Sequence, residues 1–314
     1  SEQSVATASA PLALGDRGHR EAAPELRARL ERRLADLVPA EDAPPETLHR
    51  AMRYSLLAGG KRIRPLLTVQ VATGFGATEA AALDPACAIE MLHTASLILD
   101  DLPCMDDAAL RRGLPANHRV FGEDTAILAA TALLNRSFEV VAESEGLDAA
   151  VRLELVRLLA RAVGSDGIIA GQFCDLRSDW QSGGDLSGLT RMYVQKTGAL
   201  FVAAVEAGAR VAGVDERWVR AVREYAINLG LAFQLLDDLL DTFSSEEVIG
   251  KDTAQDHGKT TLASRLGPDA ARLEVCRYVR SAASALDPLG SSATPLIDLA
   301  RSYTEPTMER VLYL

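Results

Sequence analysis

The sequence has few aromatic residues and no run of alternating apolar and polar residues of the kind that forms half-buried strands. Phe, Trp and Tyr make up only 5% of the 314 residues, whereas 48% are hydrophobic. Long stretches of Ala, Leu, Arg and Glu favour helices over strands. No Pro-, Gly- or Ser-rich linker or abrupt change of composition divides the chain. We therefore expect an all-α fold with a single helical domain over residues 19–314, preceded by a disordered tail over residues 1–18.

An excess of basic residues is also missing. Lys and Arg number 33 against 44 Asp and Glu, which gives a formal net charge of −11 and argues against a nucleic-acid partner. The chain has four cysteines, which are Cys87, Cys104, Cys174 and Cys276. They show no paired spacing, which is typical of a reducing cytoplasm rather than of a disulfide framework. Because no run of eighteen uninterrupted apolar residues occurs, we expect a cytoplasmic protein with no membrane span.

Apolar residues at helical spacing predict a series of helices. The predicted helices cover residues 21–37, 45–57, 64–74, 78–101, 124–145, 149–177, 188–213 and 216–243, and helices continue from about residue 260 to the end. Pro85 would be a point of interruption in the fourth helix. Residues 244–257 offer no apolar face for packing, so they are predicted to form a mobile loop.

Two acidic clusters each follow an apolar run. The first contains Asp100, Asp101, Asp106 and Asp107, and the second contains Asp237, Asp238 and Asp241. In the second cluster the first and last aspartates lie one helical turn apart on one face, with the middle aspartate alongside. In the first cluster Pro103 is expected to bend the helix and turn the third aspartate inward.

Carboxylates at the inner ends of buried elements repel one another unless a positive charge lies between them. Hard divalent cations with oxygen ligands, typically Mg²⁺ bridging to substrate phosphates, answer this requirement. Any single Asp pair is more simply explained as a solvated helix end. Two clusters, each after an apolar face, instead suggest one cavity with metal on both walls.

Basic residues recur around the acidic clusters. Gly-Gly-Lys-Arg-Ile-Arg-Pro occupies residues 59–65, Leu-Arg-Arg-Gly residues 110–113, Lys-Thr-Gly residues 196–198, and Gly-Lys residues 250–251 and 258–259. A diphosphate carries about −3 at neutral pH by analogy with phosphate esters. Its binding therefore needs Lys, Arg and Mg²⁺ together. Each basic pair alone is weak evidence, and the glycine spacing of a P-loop is missing.

In this order the motifs resemble those of the trans-isoprenyl diphosphate synthases. The first cluster followed by Leu-Arg-Arg-Gly, with Gly-Gly-Lys-Arg-x-Arg-Pro upstream and Gly-x-x-Phe-Gln-x-x-Asp-Asp-x-x-Asp downstream, covers about residues 50–262. Ala-Ser-Leu-Ile-Leu-Asp-Asp, Cys-Met-Asp-Asp-Ala and Gly-Lys-Asp-x-x-Gln-Asp-x-Gly-Lys-Thr-Thr-Leu are most similar to bacterial geranylgeranyl diphosphate synthases of carotenoid pathways. One departure is Ala108-Ala109, where many relatives carry further acids. The resemblance implies an all-helical bundle of the isoprenoid synthase type around a central active-site cavity.

The resemblance also implies the reaction and its residues. An allylic diphosphate (dimethylallyl, geranyl or farnesyl) would ionise with the help of about three Mg²⁺ ions, or Mn²⁺ as a substitute, and the alkene of isopentenyl diphosphate would attack the resulting cation. The implied metal ligands are Asp100, Asp101, Asp106, Asp237, Asp238 and Asp241. The residues implied at the allylic diphosphate are Arg111, Lys196, Thr197, Gln234 and Lys251. Those implied at the metal-free diphosphate of isopentenyl diphosphate are Lys61, Arg64, His93 and Arg112.

Gly60, Phe233 and Lys259 complete the implied substrate-binding set. The implied catalytic residues are Asp100, Asp101, Asp106, Arg111, Lys196, Asp237 and Lys251. Two alternatives stay open. His93 could be a core histidine, and Gly171, which with Gln172 and Asp175 fits a helix facing the cation, could serve close helix packing. The loop over residues 244–257 would be a lid.

Small residues before the first cluster predict a long product. Ala95 lies five residues before Asp100, about 7.5 Å away along a continuous helix. In relatives that stop at farnesyl diphosphate this position is commonly aromatic, so Ala95 and Ser96 would leave room for at least one more isoprene unit. The alternative is that Ala95 is merely small at a helix contact. The expected product is therefore geranylgeranyl diphosphate, with farnesyl diphosphate as the alternative.

Two other functions are less consistent with the motifs. A class I terpene cyclase would usually show an Asn/Ser/Glu-type second motif and no second diphosphate site, and a regulatory subunit would show decayed acidic motifs. Here both motifs are intact. Relatives are mostly homodimers, so we expect a homodimer.

Overall fold

The computed structural model describes residues 19–177, 186–243, 261–294, 296–302 and 304, and these are almost entirely helical. The first helices are α1 (His19–Leu37), α2 (Glu46–Leu56), α3 (Ile63–Gly74), α4 (Glu79–Asp100), α5 (Asn117–Phe121), α6 (Glu123–Ala142), α7 (Ala149–Val163) and α8 (Ile168–Leu176). They are followed by α9 (Leu186–Tyr193), a π-helical turn (Val194–Gly198), α10 (Ala199–Val211), α11 (Glu216–Phe243), α12 (Leu262–Leu266), α13 (Pro268–Ala285) and a 3-10 segment (Asp287–Ala293). The predicted all-α fold is confirmed.

A two-residue antiparallel ladder is the sheet structure found in the described part of the chain. Strands β1 (Leu110–Arg111) and β2 (Leu114–Pro115) pair, with Leu110 opposite Pro115. The connecting residues Arg112 and Gly113 both have positive φ, 54° and 78°. Two central residues with positive φ make the tight hairpin turn that suits twisted strands. This turn places Arg111 against Asp101 at the end of α4 and Arg112 beside Glu90 in the middle of α4.

Helix α4 lies at the centre of the fold. It packs against α3 and α6 and also contacts α10, which in turn packs on α3 and α11. Its buried residues are mainly small, such as Ala82, Ala86 and Ala88, so neighbouring helices can approach closely. A second apolar cluster, containing Leu231, Leu235 and Val275, joins α11 to α9, α12 and α13. The two helices that carry the acidic motifs, α4 and α11, are thus both fixed by extensive packing.

Three local predictions differ from the structure. The helix predicted over 149–177 is broken between α7 and α8, because Gly167 has φ −113° and ψ −129° and a Cβ there would lie 2.0 Å from the carbonyl oxygen of Ala162. Pro85 does not interrupt α4, which runs continuously from Glu79 to Asp100. The first acidic cluster is not a bent helix, since α4 ends at Asp100 and the following residues form turns. The four cysteines are free thiols.

Two described helices, α4 and α6, are long and apolar enough to cross a membrane by length and composition alone. Most of the apolar window of α4 is buried inside the protein, as expected of a core helix, whereas that of α6 is less buried. The expected absence of a membrane span and the cytoplasmic location stay predictions.

Candidate active site

The first acidic motif folds back on the end of α4. The backbone N–H of Asp106 donates to the carbonyl of Asp100 at 2.9 Å, and that of Ala108 donates to the carbonyl of Asp101 at 3.2 Å. The side chains of Asp100 and Asp106 are both partly exposed. Asp107 points elsewhere, since its exposed carboxylate pairs with Arg119 at 3.1 Å. The turn, rather than a helix bend, therefore brings the third aspartate of the motif to the first.

Asp101 has a different environment from its neighbours. It is only 2% exposed, and Arg111 Nε donates to its Oδ1 and Oδ2 at 3.0 and 3.1 Å. A second guanidinium nitrogen of Arg111 also donates to Oδ1. Arg111 lies on β1, so this paired contact ties the hairpin to the end of α4. The first motif thus presents Asp100 and Asp106 to solvent and holds Asp101 inside the protein.

The electrostatics of this motif favour a bound cation. Burial raises the pKa of Asp100 to about 6, and nearby Asp106 and Asp101 add to the shift while Lys196 opposes it. Burial also raises the pKa of Asp101, against the opposing effect of Arg111. Both shifts mean that the ionised carboxylates are disfavoured in this position. A cation bound to them would relieve that cost.

The second acidic motif also contains one accessible and one buried aspartate. Asp237 is exposed, whereas Asp238 is only 6% exposed and accepts a hydrogen bond from Gln234 Nε2 at 2.9 Å on Oδ1. Its Oδ2 accepts from the Tyr193 hydroxyl. That hydroxyl oxygen in turn accepts from the backbone N–H of Leu262 at 3.0 Å. Tyr193 therefore joins the second motif to the start of α12, a role that no sequence pattern indicates.

The π-helical turn supplies two of the predicted binding residues. Lys196 Nζ lies 2.6 Å from Asp175 Oδ2 on α8, and Thr197 Oγ1 donates to Gln234 Oε1 at 2.6 Å. Burial acts to lower the pKa of Lys196, but Asp175, Asp100 and Asp106 together outweigh it and the pKa is raised. Single π turns inside helices often occur at functional sites. This turn places a stable ammonium between α8 and the first acidic motif.

Helix α8 approaches the π turn very closely. A Cβ at Gly171 would lie 2.4 Å from the backbone nitrogen of Lys196, so close packing does explain this glycine. The neighbouring Gln172 is buried, and neither of its side-chain polar atoms has a hydrogen-bond partner among the residues that the structure describes. Such atoms are costly unless a ligand or water satisfies them. The structure is therefore compatible with both interpretations of Gly171 and Gln172, close helix packing and a helix that faces the substrate cation.

The predicted second diphosphate site lies at the start of α3. Arg64 Nη1 donates to His93 Nε2 at 3.2 Å, and its guanidinium lies 4.5 Å from the centre of the Phe201 ring. The Lys61 ammonium lies 5.9 Å from the centre of the Phe233 ring, which stacks on Phe201 at 5.4 Å. These contacts place Arg64 of α3 against α10, and Lys61, just before α3, beside α11, the helix of the second acidic motif.

Burial and mutual repulsion set the protonation states there. Burial lowers the pKa of Arg64 to about 10, and that of His93 falls well below its usual range because of burial and the neighbouring arginines. His93 is therefore neutral, and it accepts from Arg64 through Nε2. The positive charges of these neighbouring guanidiniums repel one another, so the pocket is suited to binding a multiply charged anion.

The donor set fits magnesium bound together with a diphosphate. Among the described residues, no group of three or more His, Cys, Asp or Glu side chains forms a ready-made cage. Mg²⁺ usually binds through one or two carboxylates plus substrate phosphates and waters, so such a cage is not required. Among the described aspartates predicted as metal ligands, Asp100, Asp106 and Asp237 have accessible carboxylates, whereas Asp101 and Asp238 are buried.

Several predicted residues lie outside the described part of the structure. These are Lys251, Lys259, the loop over residues 244–257 and the side chain of Asp241. Ala95 is fully buried in the main core cluster, whereas Ser96 is partly exposed and its hydroxyl donates to the carbonyl of His93 at 2.8 Å. Ser96 lies one helical turn before Asp100 on the same face.

Comparisons with known proteins identify the family of the chain. A family model described as polyprenyl synthetase matches residues 45–265. Geranylgeranyl pyrophosphate synthase 11, chloroplastic, of Arabidopsis thaliana is 46% identical over 264 residues, which cover 82% of this chain and 74% of that protein. Farnesyl diphosphate synthase of Geobacillus stearothermophilus is 44% identical over 242 residues, covering 76% of this chain and 81% of that protein.

A solved structure extends the agreement to the fold. The geranyltransferase of Helicobacter pylori, complexed with magnesium and isoprenyl diphosphate, matches with a TM-score of 0.80 and 29% identity, covering 96% of this chain and 100% of that one. The family match spans both acidic motifs and the basic turn before α3. The chain belongs to the polyprenyl synthetase family of trans-isoprenyl diphosphate synthases and is a chain-elongating trans-prenyltransferase.

Proposed function

We propose that this prenyltransferase condenses isopentenyl diphosphate with dimethylallyl, geranyl or farnesyl diphosphate and that its main product is geranylgeranyl diphosphate. Overall similarity alone does not decide the product, because relatives named for C20 and C15 products are 46% and 44% identical to it. The observation that carries the proposal is the pair of small side chains, Ala95 and Ser96, which lie five and four residues before Asp100 on α4.

The allylic diphosphate is assigned to the space between the two acidic motifs. Magnesium held by Asp100, Asp106 and Asp237 would neutralise the leaving diphosphate, and we propose about three ions, with Mn²⁺ as a substitute. Arg111 and Gln234 orient Asp101 and Asp238, as their hydrogen bonds require. Lys196 adds a positive charge at the same place, and its raised pKa keeps it charged at neutral pH.

Isopentenyl diphosphate is assigned to the basic site of Lys61, Arg64, His93 and Arg112. Arginines present several fixed N–H donors, and neutral His93 keeps its other ring nitrogen as one more donor. The alkene then attacks the allylic cation, and the released diphosphate takes the proton. No protein nucleophile is needed. The protein's contribution is to place charge in advance and to keep water away from the cation.

The product-length proposal is tested by placing larger side chains at the proposed end of the substrate pocket. Ala95→Tyr and Ser96→Tyr each add an aromatic ring at the depth where a growing tail would pass, so the main product should shift from geranylgeranyl to farnesyl diphosphate. Chromatography of the dephosphorylated products measures this. Since Ala95 is fully buried, overpacking there costs typically about 1–3 kcal/mol, and thermal melting with measurable isopentenyl diphosphate consumption serves as the control. An unchanged distribution in both active variants would contradict the assignment.

We also propose a homodimer. Large apolar side chains are exposed on three neighbouring helices, and they are Ile127 and Leu128 on α6, Leu153 on α7, and Ile169 and Phe173 on α8. Leu128 is 60% exposed, although other residues of α6 are buried in the helical bundle. Contiguous exposed apolar side chains are typical of interaction surfaces. Light scattering should give twice the chain mass, and Leu128→Glu should lower it, whereas Leu273→Glu, an isolated exposed leucine on α13, should not. A monomeric wild type would contradict this proposal.

A further inference from the structure

A buried arginine underlies the basic site without facing it. The side chain of Arg62 is 0% exposed and its backbone is left-handed, with φ 52° at the start of α3. Its Nε and Nη2 donate to the two carboxylate oxygens of Glu31 on α1 at 2.7 and 3.0 Å. Nη2 also donates to the carbonyl of Leu56 at 2.6 Å, and Nη1 donates to Glu90 Oε1. Arg62 therefore links α1, α2 and α4 beneath the turn at residues 59–61.

Glu90 connects this buried arginine to a residue of the diphosphate site. The same Oε1 that accepts from Arg62 also lies 3.4 Å from Arg112 Nη2. Arg112 Nη1 in turn donates to the carbonyl of Gly59 at 2.5 Å. The carboxylate of Glu90 is thus shared by two guanidiniums, one below the turn and one beside it.

The turn itself is fitted around Arg112. A Cβ at Gly60 would lie 2.9 Å from Arg112 Cζ, and Gly60 has φ 122°, so a larger residue would strain the backbone and displace the Arg112 guanidinium. Arg27 of α1 donates to the carbonyl of Gly60. The carbonyls of Gly59 and Gly60 therefore both accept hydrogen bonds from arginines. The next residue, Lys61, is exposed.

Glu90 lies among several positive charges at this place. Four cationic side chains, those of Lys61, Arg62, Arg64 and Arg112, come from two short segments, and Glu31 pairs with only one of them. Burial acts to lower the pKa of each of the three arginines, and the charge of Glu90 raises all three. Glu90 is itself buried on α4, one turn before His93.

We propose that Glu90 is a positioning residue for isopentenyl diphosphate, whose carboxylate fixes Arg112 directly and the turn at residues 59–61 through Arg62. The proposal rests on the assignment of the metal-free diphosphate to Lys61, Arg64 and Arg112. Glu90 does not touch the substrate, because an anion there would repel a diphosphate. Its effect is carried by the arginines that it holds.

Positioning and simple electrostatics predict opposite results for Glu90→Gln. The substitution removes one negative charge and nearly preserves shape, so a purely electrostatic role would make diphosphate binding tighter. Loss of the shared anchor instead leaves Arg112 and the turn free to move, which weakens binding. We expect the KM for isopentenyl diphosphate to rise about tenfold or more, equivalent to about 1.4 kcal/mol. The KM for the allylic substrate should change little.

The experiment combines steady-state kinetics with equilibrium binding. Calorimetric titration of isopentenyl diphosphate in excess chelator measures the metal-free site alone and needs no turnover. Glu206→Gln is the matched control, since Glu206 on α10 is also a buried glutamate that contacts two arginines, Arg210 on α10 at 3.3 Å and Arg223 on α11 at 3.5 Å. It should leave both KM values unchanged. Glu90→Asp, which keeps the charge, should recover part of the affinity.

The outcomes separate this inference from the site assignment. Lys61→Ala must raise the KM for isopentenyl diphosphate, and if it does not, the site assignment itself fails. If it does, and Glu90→Gln binds isopentenyl diphosphate equally well or more tightly, the positioning role is overturned. Should Glu90→Gln not fold by circular dichroism, Arg62→Lys tests the same connection, because it keeps the charge but loses the paired contacts to Glu31. Unchanged binding in folded Arg62→Lys would then overturn the positioning of the turn through Arg62.

Discussion

Replacing Tyr193 with Phe removes one oxygen atom that serves two parts of the site. The hydroxyl donates to Asp238 Oδ2 and accepts from the backbone N–H of Leu262 at 3.0 Å. Tyr193 is buried, and burial raises its pKa far above the usual range, with Asp238 adding to the shift, so the hydroxyl remains a donor at any working pH. The substitution should therefore loosen both the second acidic motif and the start of α12.

The expected loss follows from the two contacts. A hydrogen bond to a charged group contributes about 1.5–3 kcal/mol, and a buried N–H left without an acceptor costs about 1–3 kcal/mol. The two losses share one atom and are not additive, so we expect about 3 kcal/mol in total. Partners that orient metal-binding side chains typically change metal affinity or activity by about 10–100-fold. The magnesium concentration for half-maximal activity should rise by a factor in that range.

Tyr225→Phe is the matched control. Tyr225 is also fully buried, and its hydroxyl donates to the carbonyl of Leu296 at 2.7 Å, outside the acidic motifs. It should lower stability by about 1 kcal/mol, as expected for one neutral hydrogen bond, without changing the magnesium dependence. Thermal denaturation and magnesium titrations of activity measure both effects. If Tyr193→Phe loses stability but keeps the wild-type magnesium dependence, Tyr193 does not position Asp238 for the reaction.

The remaining predictions concern the metal and diphosphate sites. Asp100→Ala or Asp237→Ala should lower turnover by about 10²–10³ or more with the fold intact by circular dichroism, as when a transition-state charge contact is removed, and near-normal turnover in both would contradict the metal site. Lys61→Ala should raise mainly the KM for isopentenyl diphosphate, because that contact persists from ground state to transition state, and a rise confined to the allylic KM would mean that the two sites are exchanged. Because the pKa of Asp100 is raised to about 6, its ionised form destabilises the metal-free fold above that pH, so the unliganded protein should gain stability from this group as pH falls from 6 towards 4. Protons should then compete with magnesium, and thermal stabilisation by added magnesium and diphosphate should be smaller at pH 5.5 than at pH 7.5; equal stabilisation at both values would contradict this.

The sequence was sufficient to predict those helices and motifs that depend on a local pattern of residues. Helix α11 begins and ends at the predicted residues, Glu216 and Phe243, because its apolar periodicity is regular throughout. The order of acidic and basic motifs was also sufficient to recognise the family, which the comparisons confirm. Motifs of this kind are local in the chain, so they can be read without knowing the fold.

The missed features depend on contacts between distant segments. The break before α8 arises at Gly164 and Gly167, which the helical pattern around them concealed. The π turn at Lys196 has no local signature. Glu90 and Tyr193 look like ordinary helix residues, since their roles come from partners 28 and 45 positions away along the chain. Long-range pairing of this kind appears only when the helices are packed.

The most direct test of the proposed reaction is the product formed by the purified chain from isopentenyl diphosphate and an allylic diphosphate, with and without magnesium. We expect inorganic diphosphate to be released only when both substrates and magnesium are present, and geranylgeranyl diphosphate to be the main product. Release of diphosphate from the allylic substrate alone, with a cyclic hydrocarbon as product, or full activity in excess chelator would contradict the proposed reaction.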